Sequence, residues 1–284
     1  MNAMNTMTTT PLPRTYLFVP GDRPERFAKA LASGADAVVV DLEDAVAPAA
    51  KAAARDAVAG WLGALADDER ARVVVRINDA STPWFEADLR MAANARAAAL
   101  MLPKAERVET ITQLHAGAPR AALLALVETA RGVLAAEALA AAPGVQRLVF
   151  GTLDFALDLD LSGDPAGFDF AASRLALASR AAGIASPVAG VTTVIDDEPA
   201  LLADLARMRA HGFGAKLCIH PKQVAPIHAA LRPSADELAW ARRVLQAANG
   251  ADRADATRGA VQIDGRMIDK PVIERARRLL ARGA

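Results

Sequence analysis

Most of the short apolar runs in this sequence end in side chains that can act as acids, bases, metal ligands or anion-binding groups. In chain order these are Asp41, Glu43 and Asp44; Arg76 and Asn78; Lys104; Glu128 and Arg131; Asp154; Thr192 and Thr193; and His220. Grouped carboxylates suit a hard cation, and an arginine beside them can grip a carboxylate or an enolate by two parallel hydrogen bonds. The pattern therefore indicates a site for a small, oxygen-rich anion.

The apolar runs alternate with amphipathic stretches eight times along the chain. The runs are YLFVP, DAVVVDLE, RVVVRIN, AALMLPK, ALLALVE, RLVFG, PVAGVTT and KLCIHP, and the predicted helices between them cover 23–33, 48–65, 83–95, 106–116, 132–142, 168–182 and 198–211. The runs are mostly continuous, as in strands that are covered on both faces. This layout predicts the α/β class, and within it a (β/α)8 TIM barrel whose active site lies at the carboxyl ends of the strands.

An open, doubly wound sheet is the alternative fold. It is disfavoured because the segment after the first run, Pro20-Gly21-Asp22-Arg23-Pro24, is not the glycine fingerprint of a dinucleotide-binding fold. Three regions are predicted in all. Residues 1–13 form a polar, disordered leader without the features of a signal peptide, residues 14–232 form the barrel, and residues 233–284 form a C-terminal extension.

The C-terminal extension is predicted to be a helix-hairpin-helix lid. Its first helix covers 235–248, a polar hinge covers 249–259, and a hairpin covers 260–268 around the Asp264-Gly265 pair. Pro271 then begins the final helix, at a first-turn position that tolerates proline.

Composition narrows the class of protein. The 284 residues carry 33 Lys+Arg and 33 Asp+Glu, and only 4% are aromatic, so neither nucleic acid nor a membrane surface is an expected partner. No uninterrupted apolar stretch is long enough to span a bilayer. The single cysteine, Cys218, excludes an internal disulfide and favours a reducing, cytoplasmic location.

Glu128 and Asp154 are candidate metal ligands. Each follows a buried run, one βα unit apart, and neighbouring strands lie about 5 Å apart. Two carboxylates in this position can share Mg²⁺, with Mn²⁺ as a possible substitute, and the ion keeps waters and substrate oxygens as its other ligands. The four histidines have no zinc-binding spacing. The alternative is that each carboxylate only caps the helix that follows it.

The acids of the second run have two interpretations. Asp41 and Glu43 alternate along one face, with Asp44 opposite, so they could orient the waters of a metal or hold Arg76 and Lys104. A salt-bridged rim of the barrel explains the same residues equally well. Arg76 itself either binds substrate or forms an internal ion pair with Asp41 or Glu43, and both can hold at once.

Other reactive side chains are given structural roles. Lys104 and Lys216 could form a Schiff base with a carbonyl substrate, but salt bridges are favoured for both. His220 is an acid, a base or a hydrogen-bonded wall residue, and Cys218 is taken as a small core residue.

Seven motifs in order resemble those of the HpcH/HpaI aldolase/citrate lyase family, and most closely its citrate lyase β-subunit-like branch. They are RTYLFVPGDRPERFAKA, DAVVVDLEDAVAPAAKAAARDAV, VVVRIN, LPKAE, LVETARGVLAAEAL, LVFGTLDFALDL and KLCIHPKQV. The resemblance covers nearly the whole chain from Arg14 onward. One departure is the segment DFALDLDLSGD, since relatives commonly carry a glycine near Asp160.

The resemblance assigns roles to single residues. It makes Glu128 and Asp154 the Mg²⁺ ligands. It makes Arg76 the group that binds the substrate carboxylate and thioester region, and Glu128 is expected to bind substrate as well. Arg14 and Lys29 match positions near the phosphates and adenine of coenzyme A. The lid aspartate that matches Asp269 acts as an acid or base, often in a neighbouring subunit's site; the alternative for Asp269 is a carboxylate at a helix N-terminus. The expected catalytic residues are Arg76, Asp269, Asp41 and Glu43.

The resemblance also implies a reaction. It is the cleavage or formation of a carbon–carbon bond in a β-hydroxyacyl-CoA, such as citryl-, malyl- or citramalyl-CoA, to give a 2-oxo acid and an acyl-CoA through an enolate. A homo-oligomer, either a trimer or a hexamer, is implied as well. Three alternatives remain open: a metal-dependent aldolase acting on free 2-oxo acids, a Schiff-base aldolase, and the β subunit of a citrate lyase complex acting on an acyl-carrier protein.

Overall fold

The computed structural model describes residues 12–254, 261–263 and 266–283, which fall into two compact units that divide after Ile227. The predicted leader therefore lies almost entirely outside the described residues, and the Asp264-Gly265 turn lies wholly outside them. The predicted boundary at 232/233 falls a few residues beyond the observed division. No helix among the described residues has the length and apolar character needed to cross a bilayer.

The first unit is built around eight parallel strands that close into a barrel in chain order. They are β1 (Thr15–Pro20), β2 (Ala37–Asp41), β3 (Val73–Arg76), β4 (Ala99–Leu102), β5 (Ala122–Val127), β6 (Val145–Phe150), β7 (Val188–Ala189) and β8 (Ala215–Cys218). The barrel is closed by pairing of β1 with β8, where Thr15 lies opposite Lys216. The predicted (β/α)8 TIM barrel is confirmed.

Helices follow each strand. In chain order they are α1 (Phe27–Leu31), α2 (Lys51–Ala64), α3 (Asp67–Arg70), α4 (Phe85–Asn94), α5 (Val108–Gly117), α6 (Ala130–Ala140), α7 (Thr152–Asp158), α8 (Asp169–Ala181), α9 (Glu198–Ala210) and α10 (Val224–Leu231). Seven of them were predicted to within a few residues. The helices α3, α7 and α10 were not predicted. For α3 and α7 the reason is that elements of one or two turns are too short to show an apolar repeat of 3.6 residues.

The interior of the barrel is filled by alternate residues of the strands. The buried interior cluster consists of Tyr16, Ala37, Val39, Val74, Met101, Leu124, Leu126, Val149, Val188, Ala215 and Leu217. Side chains alternate between the two faces of a strand, so each inward row continues with a residue two positions further on. Val39 is thereby followed by Asp41, Val74 by Arg76, and Leu126 by Glu128. The rows that pack the core end in the candidate site residues.

The strand β7 is much shorter than the run 187–195 predicted. Only Val188 and Ala189 keep strand geometry, and β7 pairs with β6 through Val188 opposite Val149. Strand geometry ends before Gly190, where a Cβ atom would lie 2.8 Å from the carbonyl oxygen of Phe150 and would also collide with the Thr152 hydroxyl. The residues that follow therefore form a loop whose position depends on other contacts.

The second unit contains α11 (Ala235–Ala254), the strands β9 (Val261–Ile263) and β10 (Arg266–Ile268), and α12 (Lys270–Gly283). The two strands pair antiparallel, with Val261 opposite Ile268, so a hairpin is present as predicted. The predicted hinge is wrong for 249–254, because α11 continues through them; 255–259 lie outside the described residues. Pro271 lies in the first turn of α12, as expected.

Asp160, in the segment that departs from the family pattern, adopts a left-handed backbone conformation with φ 51°. Such a conformation costs an L-residue other than glycine about 1 kcal/mol. We therefore expect Asp160→Gly to be more stable than Asp160→Ala by about 1 kcal/mol in urea denaturation. The same pair of substitutions at the exposed helical residue Glu137 is the control, where glycine should be the less stable by a similar amount, about 1 kcal/mol. The same order at both positions would contradict the argument.

Candidate active site

Arg76, the last residue of β3, is held by the acid that ends β2. Its Nε and Nη2 atoms donate to the two oxygens of Asp41 at 2.7 and 2.6 Å, a bidentate pair. The guanidinium also lies 5.1 Å from the centre of the Phe18 ring. Burial lowers the pKa of Arg76, but the hydrogen bonds and charge of Asp41, together with the charge of Glu43, raise it above its ordinary value. The guanidinium is therefore permanently charged and fixed in orientation.

Asp41 is itself fixed by the backbone that follows it. Its Oδ1 atom accepts a hydrogen bond from the amide of Glu43 at 2.8 Å, and Oδ2 accepts one from the amide of Ala45 at 3.1 Å. The strand β2 ends at Asp41, so Glu43 and Asp44 belong to a loop rather than to a strand face as predicted. In this loop Glu43 is buried and Asp44 is exposed.

Glu43 lies between two cations. Its Oε2 atom is 2.8 Å from Nη1 of Arg76, and its Oε1 atom is 3.6 Å from Nζ of Lys104. Burial raises the pKa of Glu43 to about 7, with the charges of Asp44 and Asp41 acting in the same direction and those of Arg76 and Lys104 against it. Both interpretations of the acidic run are thus present: the acids form an ion-paired rim, and they hold Arg76 and Lys104.

Glu128 directly follows β5 and is only 2% exposed. Its Oε1 atom accepts a hydrogen bond from the amide of Lys104 at 2.8 Å. Lys104 adopts a left-handed conformation, with φ 46°, as it makes this bond. On the other side Glu128 lies against Gly151, where an added Cβ would come within 2.5 Å of Oε2. A glycine at 151 therefore leaves space for the carboxylate between neighbouring strand ends.

Asp154 lies in the first turn of α7, directly beyond Gly151. Burial raises the pKa of Glu128 to about 8, and the negative charges of Glu43 and Asp154 act in the same direction. The two predicted ligands are therefore within electrostatic range of each other. Neither one is the N-cap of the helix that follows, since Thr129 caps α6 through a bond from Gly132, and Gly151 is the N-cap of α7. The capping alternative is wrong for both.

The two lysines proposed as alternatives do not favour Schiff-base chemistry. Burial lowers the pKa of Lys104, but the charges of Glu43 and Glu128 outweigh it and raise the pKa, which keeps the amine protonated. Lys216 lies between the inward-facing residues Ala215 and Leu217, so it points to the outer face of the barrel. There its Nζ atom contacts Asp204 at 2.6 Å.

His220 and Cys218 take the structural roles that were favoured for them. The Nδ1 atom of His220 accepts a hydrogen bond from the amide of Lys222 at 3.2 Å, which caps the short helical turn that follows. Cys218 is fully buried, and burial raises the pKa of its thiol to about 12.

Three predicted site residues are not part of this cluster. Arg14 directly precedes β1, at the end of the barrel opposite the carboxyl ends of the strands, and its amide donates to Asp36 at 2.7 Å. Lys29 is exposed on α1, the helix that follows β1. Asp269 belongs to the second unit, where its Oδ1 atom accepts a hydrogen bond from the amide of Val272 at the start of α12. The helix-terminal role of Asp269 is observed, and the substrate-binding and catalytic roles of the three stay predictions.

Sequence reasoning missed Asp88, a buried acid behind the site. It accepts hydrogen bonds from the backbone and side-chain nitrogens of Asn78 at 2.9 and 2.6 Å, and from Nε of Arg55 at 2.7 Å. A signal was available, because Asp88 lies three residues after Phe85 and one before Leu89, on the buried face of α4.

Lys51 was also missed. Its Nζ atom donates to the carbonyl oxygens of Leu42 and Glu43 at 2.7 and 2.6 Å, which anchors the loop after β2.

The donor set suits Mg²⁺. Glu128 and Asp154 offer carboxylate oxygens from adjacent strand ends, and the residues that the structure describes contain no group of three or more His, Cys, Asp or Glu able to hold a metal ion. Mg²⁺ needs no such group, since it takes one or two carboxylates together with waters and substrate oxygens. The negative charges crowded around buried Glu128 would be relieved by a bound cation.

A closed eight-stranded parallel barrel, with a fixed arginine and buried carboxylates at the carboxyl ends of its strands, defines a (β/α)8-barrel enzyme. The profile of the HpcH/HpaI aldolase/citrate lyase family matches residues 14–221. The chain belongs to this family, and the predicted family, fold class and lyase class are confirmed.

Individual relatives align with this chain over nearly their whole length. The citrate lyase subunit beta-like protein of Mycobacterium tuberculosis is 40% identical over 274 residues, which cover 94% of each chain. A (3S)-malyl-CoA thioesterase of Cereibacter sphaeroides is 35% identical over 278 residues, which cover 95% of this chain and 94% of that protein. The crystal structure of protein CitE from M. tuberculosis in complex with magnesium, acetoacetate and coenzyme A superposes with a TM-score of 0.83 at 38% identity, covering 95% of this chain and 97% of that one.

Proposed function

We propose that this protein is a Mg²⁺-dependent carbon–carbon lyase. Its substrate is a β-hydroxyacyl-CoA such as citryl-, malyl- or citramalyl-CoA, and its products are a 2-oxo acid and an acyl-CoA. The observation that carries the proposal is the bidentate pairing of Arg76 with Asp41, at the end of the barrel that also carries Glu128 and, within electrostatic range of it, Asp154. Support comes from the M. tuberculosis CitE structure, which contains magnesium, a small oxo acid and coenzyme A.

The protein's own groups suit an enolate-forming cleavage. The substrate hydroxyl loses its proton, the adjacent carbon–carbon bond breaks, and the electron pair passes into the thioester as an enolate. Arg76, already oriented by Asp41, can donate hydrogen bonds to the developing negative oxygen without rearranging. Asp41 is thereby a positioning residue.

Proton transfer requires a group that changes its charge near neutral pH. Glu43, with a pKa of about 7, is suited to accept the hydroxyl proton. Asp269 is the proposed acid that protonates the enolate carbon, a role that the family resemblance implies.

Glu128 and Asp154 would hold Mg²⁺ against the substrate's hydroxyl and carboxylate oxygens. The ion would polarise these oxygens and lower the pKa of the hydroxyl. Asp41, Glu43, Arg76 and Glu128 are charged and buried, so exclusion of water would strengthen their interactions with a substrate. We further propose that the chain acts in the cytoplasm as a homo-oligomer, a trimer or a hexamer.

Product analysis tests this function directly. We expect the purified protein to convert malyl-CoA to glyoxylate and acetyl-CoA, or citramalyl- or citryl-CoA to the corresponding oxo acid and acetyl-CoA, with Mg²⁺ or Mn²⁺ but not in EDTA. Mass spectrometry of both products is the measurement. Full activity in EDTA would refute the metal requirement.

The same assay separates the alternatives. Release of free coenzyme A with intact malate would indicate a thioesterase, the activity named for the C. sphaeroides relative. Cleavage of free hydroxy acids without competition by coenzyme A would indicate an aldolase that does not use the thioester. Activity only on an acyl-carrier protein would indicate a subunit of a larger citrate lyase.

A further inference from the structure

An ion pair between buried Lys216 and partly exposed Asp204, on the outer face of the barrel, holds the loop that follows β7. Lys216 of β8 is completely buried, and its Nζ atom donates to the carbonyl oxygen of Gly190 at 2.8 Å and contacts Asp204 of α9 at 2.6 Å. The same Asp204 oxygen accepts a hydrogen bond from the Thr192 hydroxyl at 2.7 Å. We call Lys216, Asp204 and Thr192 the β7 clamp.

The β7 clamp compensates for missing backbone pairing. The strand β7 ends after two residues, so the carbonyl of Gly190 receives its hydrogen bond from a side chain instead of a neighbouring strand. Gln223 supplies a second connection, because its Nε2 atom donates to the carbonyl of Thr192 at 2.9 Å. The loop is thus fixed from β8 and α9 rather than by the sheet.

The residue between the two clamped positions is Val191. It packs against the interior cluster of the barrel, as Phe18 does, and the Phe18 ring lies under the guanidinium of Arg76. Strict strand alternation from the inward-facing Val188 would turn Val191 outward. Departure from strand geometry at Gly190 is therefore what brings Val191 to the interior.

We propose that the β7 clamp positions Val191 as a wall of the active site and thereby sets which 2-oxo acid the enzyme accepts. The inference rests on the proposed lyase function for its substrate, and on the observed contacts for its geometry. Lys216, Asp204 and Thr192 are positioning residues, since they act through the backbone of the loop. Val191 is the specificity-determining side chain, which limits the group beside the substrate's carbinol carbon.

The variants must remove the clamp without leaving a buried charge alone. Truncation of one partner of a buried ion pair is strongly destabilising, whereas replacement of both partners by apolar residues is often tolerated. We therefore choose Lys216→Met/Asp204→Leu, and separately Thr192→Val, which removes one hydroxyl while its shape is nearly kept. The control is Arg207→Gln, which breaks the contact of Arg207 with Asp169 elsewhere on α9.

Hydrogen exchange tests the clamp without any assay of activity. In both clamp variants we expect backbone amides of 190–195 to exchange at least about tenfold faster than in the wild type, because opening of a loop follows the loss of its buried contacts. The Arg207→Gln variant should leave these amides unchanged. Wild-type exchange rates in both clamp variants would overturn the inference that the β7 clamp orders this loop.

The ratio of kcat/KM for citramalyl-CoA to that for malyl-CoA tests specificity, because these substrates differ by one methyl group beside the carbinol carbon. In Val191→Ala the ratio should rise at least about tenfold, the effect typical of one methylene in an apolar pocket. The clamp variants should shift it at least about threefold, and Arg207→Gln should not.

The outcomes are distinguishable. A constant ratio in Val191→Ala or in both clamp variants would overturn the assignment of specificity. If the wild type cleaves none of malyl-, citramalyl- and citryl-CoA, the proposed function has failed, and hydrogen exchange still decides whether the clamp orders the loop.

Discussion

Replacement of Glu128 by glutamine is expected to abolish carbon–carbon cleavage while stabilising the metal-free protein at alkaline pH. The reason for the stabilisation is that burial raises the pKa of Glu128 in the folded protein to about 8. In the unfolded chain this group titrates near its ordinary value, about 4.3. The contribution of the neutral carboxyl to stability is thus complete below the unfolded value and is lost as the pH rises through about 8. Glutamine has no charge to bury.

Denaturation in EDTA at about pH 5.5 and about pH 8.5 measures this effect. The stability of Glu128→Gln relative to wild type should increase by about 3 kcal/mol between the two conditions. Glu137→Gln, the same change at an exposed helical position, is the control and should show no such trend.

Magnesium adds a second readout to the same variant. At about pH 8.5, Mg²⁺ should raise the unfolding temperature of the wild type but not that of Glu128→Gln, because a ligand stabilises only the state that binds it. Equal stabilisation of both proteins by Mg²⁺ would show that Glu128 is not a ligand of the metal, whatever the effect on activity.

The barrel, and the end of it that carries the candidate site residues, were predictable because one physical rule governs both. Continuous apolar runs predict strands covered on two faces, and alternation along each strand carries the inward row from core residues to Asp41, Arg76 and Glu128. A polar residue two positions beyond a packed one therefore faces the mouth of the barrel. This argument needs no knowledge of the neighbours, which is why it succeeds from sequence.

Features that depend on distant partners could not be predicted in this way. Where β7 ends, Gly190 approaches Phe150 and Thr152 so closely that no side chain fits, and these two residues belong to another βα unit. The choice of Asp204 as partner of Lys216 depends on how α9 packs. Likewise, nothing local in the sequence indicates that Lys104 takes a left-handed conformation. The hydrogen bond from its backbone amide to Glu128 joins residues that follow two different strands.

The second large effect is expected for Arg76→Lys. Lysine keeps the positive charge, but it cannot make the two parallel hydrogen bonds that Asp41 now receives, and its ammonium is a point charge rather than a planar fork. We expect kcat to fall at least about 100-fold, the usual effect of losing a preorganised donor to a developing oxyanion. Asp41→Asn should lower kcat by a smaller factor, because Arg76 remains but is held less firmly.

Arg147→Lys is the matched control for Arg76→Lys. Arg147 is also a buried barrel arginine, but it lies near the start of β6, where its guanidinium bonds the carbonyl of Ser186 and the hydroxyl of Tyr16. Both substitutions should lower the unfolding temperature, since each weakens a buried hydrogen-bond network. Only Arg76→Lys should lower kcat, so an equal loss of activity in the two variants would show that Arg76 supports the fold rather than the reaction.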